Sequence, residues 1–394
     1  MEGKKRNHIM EIFLPFFGVF EPYKISIIPF TAIMLLAIIL FRESRVLSVK
    51  KGAKPYIVFL VYMFFRDILH MVFSESVSVN SQFNRMLEYV VLYILIFFVC
   101  SGDFDENALF RWWKIAGTLF GIGMMYHVFQ LLILNQPVHP ISLIPGYDIA
   151  HDVDALYSRP TSFFSEPAAY VTSMLPLLFL SLKRQNFIWA AVSTFLIVVS
   201  TSTVGVVLTA IMWFLFIVFE KKSAKTVLLY GAFVAVFVAL FLTLPIFSDT
   251  LKKLDAVTSG ESTWGSRIAG PFDMIKAMKW YELPFGTSVL DTTKFVYSRM
   301  DRFNSHSSVF NYIHQGRDVF FNTFAMLIYR YGFIGLCLFL NTFKNKILNK
   351  RYRARIYAVT MLIASFAQGS VADPAIAIII MLLYANKESS LSND

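Results

Sequence analysis

Charged and hydroxyl side chains stand at the start of an apolar stretch, in the sequence RPTSFFSEPAAY at positions 159–170. Arg159 could hold a phosphate group through its forked guanidinium, and Glu166 could accept a proton from a hydroxyl group. Charged side chains near a bilayer are costly unless they are paired, solvated or used. This stretch is therefore the first candidate for a functional site, and a structural ion pair between Arg159 and Glu166 is the alternative.

The point at which the helix begins decides how these two side chains meet. Arg159 and Glu166 are seven residues apart, so one continuous helix would place them on the same face, two turns apart. Pro160 and Pro167 each suit a first helical turn, and Ser165 resembles an N-cap. If the helix begins near Ser165 instead, Arg159 approaches through a loop.

Long apolar blocks surround this stretch. Of the 394 residues, 56% are hydrophobic and 16% are charged, whereas soluble domains carry about 25% charged residues. The apolar residues fall in long blocks such as 226–245 and 30–41, and a block of about 20 apolar residues matches a bilayer core. The composition predicts an all-α, polytopic membrane protein.

The net charge of +10 has a topological explanation. The basic residues cluster in short segments between apolar blocks, as expected of cytoplasmic loops under the positive-inside rule: 4–6, 42–54, 182–186, 221–225 and 344–355. The charge therefore does not indicate a nucleic-acid partner. We expect no cleavable signal peptide, because the first apolar stretch lacks a small-residue cleavage site.

Counting apolar blocks between the basic segments predicts about twelve membrane helices, with both termini in the cytoplasm. The predicted ranges are 8–20, 24–41, 55–74, 86–101, 113–134, 161–181, 186–200, 203–220, 225–245, 319–341, 356–371 and 374–386. Glu11 and Pro15 suggest that the first segment is re-entrant or tilted. The polar break STST at 200–203 favours a tight helical hairpin over one long helix.

We predict a single integral membrane domain over residues 1–394, with periplasmic loops at 135–159 and 246–318. The larger loop carries mixed charge, as a solvated loop would. Within it, the apolar residues of 266–282 follow an approximately helical spacing, with Lys276 and Lys279 on another face. This pattern predicts a helix on the outer membrane surface, packed on the transmembrane bundle.

Further polar residues fall at the predicted outer ends of helices. They are Arg85, Glu88, the run STSTVG at 200–205, Asn322, Tyr329, Gln368, Ser370 and Asp373. Arg85 could simply snorkel to the interface. Arg66 and Asp67 are exceptions, because they lie inside an apolar run, where a mutual pair or a contact across helices is expected. The others predict a polar ring open to the periplasm.

RPTSFFSEPAAYVTSMLPL resembles a segment of the Wzy-type bacterial polysaccharide polymerases, which contains an Arg, a hydroxyl residue and a Glu-Pro pair. Later features occur in a similar order: the small-residue hairpin at 198–214, GESTWGSRIAGP at 260–271, ELPFG at 282–286 and FFNTFAMLIYRYGFIG at 320–335. The resemblance covers roughly residues 155–335. It implies a GT-C-like helical fold.

The resemblance also implies an activity and a place for it. Such a glycosyltransferase moves the growing glycan from undecaprenyl diphosphate onto the non-reducing end of another lipid-linked repeat unit, at the periplasmic face of the inner membrane. The implied partners are the lipid-linked oligosaccharide, the bilayer, a chain-length-regulating co-polymerase and a flippase.

This glycosyl transfer requires cations beside the departing diphosphate and a base beside the acceptor hydroxyl. Arg159, Arg267 and Glu166 are the catalytic candidates, and orientation of Arg159 is the alternative role of Glu166. The substrate-binding candidates are Arg85, Arg299, Arg302, Asn322, Ser165, His314 and Tyr329. We expect no metal and no cofactor, since only Cys100 and Cys337 are present and no metal-ligand cluster is evident.

Two other functions fit parts of the pattern. An O-antigen ligase would transfer the glycan to a lipid A-core acceptor, but the sequence around His306 and His314 lacks the ligase pattern. A lipid-linked oligosaccharide flippase, or another transporter, would typically show internal repeats and helices interrupted near mid-membrane. No half-to-half repeat is evident in this sequence.

Overall fold

A computed structural model describes residues 8–41 except 21, 26 and 27; 54–73; 105–149 except 146 and 148; 159–219; 231; 243; 270–289; 291–303; 307–314; 319; 321–348; and parts of 358–365. These residues are mostly helical, as predicted. They belong to two compact units: residues 1–47 with 102–254, and residues 48–101 with 255–394. Each unit is described by itself, and the single membrane domain stays a prediction.

We number the described helices in chain order. They are α1 (Ile9–Phe13), α2 (Phe17–Phe20), α3 (Phe30–Leu40), α4 (Lys54–Phe73), α5 (Glu106–Leu132), α6 (Pro167–Lys183), α7 (Phe187–Val199), α8 (Thr203–Phe219), α9 (Gly270–Lys276), α10 (Thr292–Tyr297), α11 (Ser308–His314) and α12 (Thr323–Leu348). Short 3₁₀ turns lie at Leu14–Phe16 and Met300–Arg302. Strands β1 (Lys24–Ile25) and β2 (Ile28–Pro29) pair antiparallel, with Lys24 opposite Pro29 and Ile25 opposite Ile28.

Three stretches among the described residues are long and apolar enough to cross a membrane: Lys54–Phe73, Glu106–Leu132 and Thr323–Lys344. Shorter apolar helices cover Ile9–Phe20, Pro167–Lys183, Phe187–Val199 and Thr203–Val218. The predicted helices 86–101 and 374–386 lie outside the described residues, and those at 225–245 and 356–371 are described only at scattered positions. Twelve crossings therefore remain a prediction.

In the first unit, α5 and α6 run antiparallel. Glu106 at the start of α5 forms an ion pair with Lys183 at the end of α6, with 2.6 Å between the carboxylate and Nζ. Near the other end of α5, His127 contacts the chain just before α6 begins. Gly117 allows the two helices to approach closely, since a Cβ there would lie 2.5 Å from a methyl carbon of Leu177.

The hairpin of α7 and α8 confirms the prediction that the polar run at 200–203 separates two helices. Asn186 caps α7 by accepting a hydrogen bond from the Trp189 N–H. After Val199 the chain turns through Thr201, whose φ of 57° lies in the left-handed region. The turn residues Ser200, Thr201 and Ser202 are all buried.

Three predicted helix starts were wrong, for identifiable reasons. The helix predicted at 161–181 begins at Pro167, because the loop before it is held by His127. The helix predicted at 24–41 begins at Phe30, because the small β1–β2 hairpin occupies the preceding residues. The helix predicted at 113–134 begins at Glu106, because the Asp105 side chain accepts a hydrogen bond from the Asn107 N–H and caps it.

In the second unit, α4 and α12 pack antiparallel along their lengths. The Phe59 and Phe339 rings lie 5.5 Å apart between centroids. Further along both helices, the Tyr62 hydroxyl donates to the Tyr331 carbonyl at 2.7 Å. One more turn along α4, both carboxylate oxygens of Asp67 accept from the Tyr331 hydroxyl, at 3.2 and 3.1 Å.

Helix α12 is interrupted at Gly332, whose φ of 70° and ψ of −177° are not helical. The segment Leu283–Thr287 hydrogen-bonds to the backbone that the break exposes. Phe333 N donates to Leu283 O at 2.8 Å and Thr287 N donates to Tyr329 O at 2.8 Å. This interruption, which the sequence did not predict, couples the large loop to the middle of a candidate membrane span.

The remaining described part of the large loop folds around an apolar core. Its buried residues include Met274 of α9, Phe295 of α10, Val309 of α11 and Ile328 of α12. The helix predicted within 266–282 is confirmed in part, because α9 covers Gly270–Lys276. α9 packs on α12, a candidate membrane span, because the two helices share this core, and the position of α9 on the outer membrane surface stays a prediction.

Candidate functional site

The guanidinium of Arg159 is docked on the hairpin between α7 and α8. It donates to the carbonyl oxygen of Thr201 at 2.5 Å and to the Thr201 hydroxyl at 3.2 Å. Arg159 is half-buried. Two members of the predicted polar ring, Arg159 and the STST run, are therefore in direct contact.

Glu166 occupies the N-cap position of α6, whose first residue is Pro167. The Glu166 side chain is exposed and makes no capping hydrogen bond. Ser165, which was predicted to be the cap, lies one residue before the cap position and is half-buried. Of the two possible helix starts, the later one is therefore present, and Arg159 lies in the preceding loop. The two side chains do not share a helix face.

His127 of α5 holds this loop in place. Its Nδ1 accepts hydrogen bonds from the backbone N–H groups of Thr161 and Ser162, each at 3.2 Å. The Ser162 hydroxyl donates to the Phe120 carbonyl at 2.8 Å, and the φ of Ser162 is 59°. These buried contacts keep the loop out of the helical conformation, which explains why α6 begins no earlier than Pro167.

The first unit presents a carboxylate at the start of α6 and an arginine in the loop before it. The N-terminal end of a helix carries a partial positive charge from its unpaired N–H groups. An exposed carboxylate at that end, near a loop that holds a half-buried arginine, presents a proton acceptor and a cation from one short segment. Both groups are what a glycosyl transfer from a diphosphate would need.

In the second unit, Arg299 and Glu282 form a bidentate ion pair. Nη1 and Nη2 each lie 2.6 Å from a carboxylate oxygen, and both residues are only 6% exposed. Arg299 also donates to the Ala277 carbonyl at 3.2 Å. Burial alone would raise the pKa of Glu282, but hydrogen bonds from Arg299, the Lys279 N–H and the Thr287 hydroxyl lower it below its usual value.

The other candidates of the second unit have separate surroundings. Tyr329 is buried and donates its hydroxyl to the Val289 carbonyl at 2.6 Å, and the Asn322 side chain caps α12 through the Ala325 N–H at 2.9 Å. Arg302 is exposed, with a hydrogen bond to the Met278 carbonyl at 3.4 Å. His314 is exposed at the end of α11. Arg85 and Arg267 lie outside the described residues.

Arg66 and Asp67 contact groups on other elements, which confirms one of the two roles predicted for them. Arg66 lies 2.9 Å from His70 Nε2 and donates to the Gly286 carbonyl at 3.4 Å. Asp67 accepts from Tyr331, so two neighbouring polar residues of α4 serve different partners. Glu282, Gly286 and Tyr331 were not predicted as site residues, although ELPFG and YRYGFIG stand out as polar, glycine-containing interruptions.

No three His, Cys, Asp or Glu side chains among the described residues are grouped so that they could hold a metal ion. Comparisons of this chain with protein-family models, with curated proteins and with solved structures find no match.

Proposed function

We propose that this chain is a glycosyltransferase of the bacterial inner membrane that polymerises lipid-linked oligosaccharides at the periplasmic face. The observation that carries the proposal is the placement of Arg159 and Glu166. Arg159 is anchored to the Thr201 carbonyl, and Glu166 stands exposed at the positive end of α6. About twelve crossings and a GT-C-like arrangement belong to the same proposal.

In the proposed reaction, a hydroxyl group on the non-reducing sugar of one lipid-linked unit attacks the anomeric carbon of the donor glycan. The bond from that carbon to the diphosphate oxygen breaks, and undecaprenyl diphosphate leaves. Glu166 accepts the hydroxyl proton, and Arg159 stabilises the charge that develops on the diphosphate. Arg267 stays a prediction from the sequence for the same role. A half-buried arginine suits this role, because its charge is partly shielded from water.

The contacts with Thr201 hold the guanidinium of Arg159 in one position, as a fixed positive charge beside a substrate would require. Both contacts to Thr201 use donors on one edge of the guanidinium, Nε and Nη2. A lysine at this position could not reproduce the forked geometry.

The test is chain growth by the purified protein in liposomes that contain undecaprenyl-diphosphate-linked repeat units. The proposal expects a ladder of longer glycans with no ion gradient, and its loss in Arg159→Ala, Arg159→Lys and Glu166→Gln. Asp301→Asn, at an exposed position of the second unit, is the matched control and should keep the ladder. Full activity of Glu166→Gln would remove Glu166 as the base.

One observation favours a transporter as the second candidate. Helix α12 is broken at Gly332, near the middle of a candidate membrane span, and transporters often bind their substrates at such breaks. At this break, backbone groups are hydrogen-bonded to the segment Leu283–Thr287 of the same chain. In the same liposomes, movement of lipid-linked units between leaflets without any ladder would favour this candidate.

A further inference from the structure

We propose that the segment Lys279–Phe285 enters the outer leaflet of the bilayer and contacts phospholipid through Trp280, Tyr281 and Phe285. The sequence places the start of this segment at the outer surface of the membrane, within the periplasmic loop 246–318. Its place in the fold of the second unit argues for a deeper position. The proposal rests on the two spans α4 and α12 and does not depend on the proposed enzymatic activity.

The depth of the segment follows from its contacts with α12. Leu283 O and Pro284 O accept hydrogen bonds from Phe333 N and Ile334 N, at 2.8 and 3.2 Å. These donors directly follow the break at Gly332, the tenth residue of the candidate span Thr323–Lys344. The backbone of Leu283 and Pro284 therefore lies beside the middle of a membrane-spanning stretch.

Helix α4 gives the same depth independently. Tyr62, which donates to the Tyr331 carbonyl, is eight residues from Lys54 and eleven from Phe73. At 1.5 Å per residue, it lies about 12 Å from one end of the helix and about 16 Å from the other. Two antiparallel spans thus agree that the break, and the segment docked on it, lie near the bilayer midplane.

Trp280 lies close to the depth of Leu283 in the bilayer. Three residues of extended chain reach at most about 11 Å, so Trp280 lies within that distance of Leu283. The half-thickness of the hydrocarbon core is about 15 Å. Trp280 and Tyr281 therefore fall inside one leaflet or at its headgroup boundary. The positive-inside topology, with the basic segment before α4 in the cytoplasm, makes this the outer leaflet.

Three aromatic side chains of the segment are largely exposed. Trp280 is 81% exposed, Tyr281 is 52% exposed and Phe285 is 51% exposed. The Trp280 and Tyr281 rings meet edge to face at 5.9 Å between centroids, and Lys279 Nζ lies 5.7 Å from the centre of the Tyr281 ring. Trp and Tyr are enriched at membrane interfaces, and an adjacent lysine suits anionic headgroups.

This exposure is built into the fold, because the backbone beneath the aromatic side chains is firmly held. Glu282, between Tyr281 and Leu283, is buried in its ion pair with Arg299 and also accepts from the Lys279 N–H at 2.7 Å. Gly286 packs directly on the Arg330 carbonyl. A charged pair at this depth is tolerated because it is paired and shielded by protein.

The experiment measures the depth of two positions in the full chain, reconstituted into phosphatidylcholine and phosphatidylglycerol vesicles. Tryptophan fluorescence of the wild type and of Trp280→Phe is quenched by brominated lipids or by aqueous iodide, and the difference isolates Trp280. In a Cys100→Ser, Cys337→Ser background, Phe285→Cys carries a polarity-sensitive fluorophore. Val61→Cys, exposed on α4 beside Tyr62, is the lipid-facing control, and Gln136→Cys, exposed in a loop, is the aqueous control.

The proposal expects bromolipids to quench Trp280 while iodide does not, and the Phe285→Cys label to emit at the blue-shifted wavelength of the Val61→Cys label. Iodide quenching of Trp280, with a Phe285→Cys label that matches Gln136→Cys, would overturn it. Shielding from iodide that develops only when lipid-linked oligosaccharide is added would also overturn it, because the aromatic residues would then face a glycan. Loss of glycan polymerisation has no bearing on these readings.

Discussion

Gly332 lies directly against the backbone of Pro284. A Cβ at Gly332 would be 2.1 Å from the Pro284 carbonyl oxygen, and the φ of Gly332 is 70°. With a ψ of −177° this conformation is essentially restricted to glycine. The interruption of α12 and the docking of the large loop therefore depend on the same residue.

We expect Gly332→Ala to destabilise the second unit. The unfavourable conformation contributes on the order of 1–3 kcal/mol, and the clash with Pro284 must also displace the docked segment. Thermal unfolding of the purified protein in detergent measures the effect. Gly231→Ala is the matched control, since a Cβ at Gly231 has no atom within 4 Å. An unchanged unfolding temperature for Gly332→Ala would show that the interruption is absent.

Separating Glu282 from Arg299 should be more damaging than exchanging an exposed charge. Removing one member of a buried ion pair costs about 3–5 kcal/mol, because the other charge is left buried without a partner. We expect a large loss of unfolding temperature in Glu282→Ala and Arg299→Ala. The double variant should lose less than the sum of the two, and additive losses would argue against direct pairing.

The ionised Glu282 carboxylate should also make the free energy of unfolding depend on pH in the acidic range. In the folded protein, the pKa of Glu282 lies below its ordinary value of 4.5, because Arg299, the Lys279 N–H and the Thr287 hydroxyl donate hydrogen bonds to the carboxylate. The contribution is therefore fully present above pH 4.5 and is lost as the pH falls through the lower, folded pKa. Unfolding temperatures measured from pH 7 down to pH 3 should fall less steeply for Glu282→Gln than for the wild type. Parallel curves would contradict the assignment.

His127→Ala should loosen the loop that carries Arg159. It leaves the N–H groups of Thr161 and Ser162 without their shared acceptor, and each unsatisfied buried donor costs about 1–3 kcal/mol. We expect a lower unfolding temperature together with weaker glycan polymerisation, because the contact of Arg159 with Thr201 depends on the loop. His139→Ala, at an exposed position, is the control and should change neither property.

The helical class, the stretches long and apolar enough to cross a membrane and the α7–α8 hairpin followed from the sequence, because each depends on residues close together in the chain. An apolar block of sufficient length forms a helix in a bilayer whatever surrounds it, since its backbone groups must bond to one another. The polar run at 200–203 marks a turn for the same local reason. Arg159 and Glu166 were identifiable because charge is rare in such blocks.

Tertiary contacts decided the rest. The start of α6 depends on His127, 34 residues before Thr161. The roles of Arg66 and Asp67 depend on Gly286 and Tyr331, more than 200 residues away. Similarly, nothing in the sequence distinguishes Glu282 from the other acidic residues of the mixed-charge loop. Only the fold, which buries Glu282 against Arg299, does so. Spacing along the chain predicts which residues share a helix face. It does not predict which distant polar groups pair, because that pairing arises only when the fold removes these groups from water and each of them needs a partner.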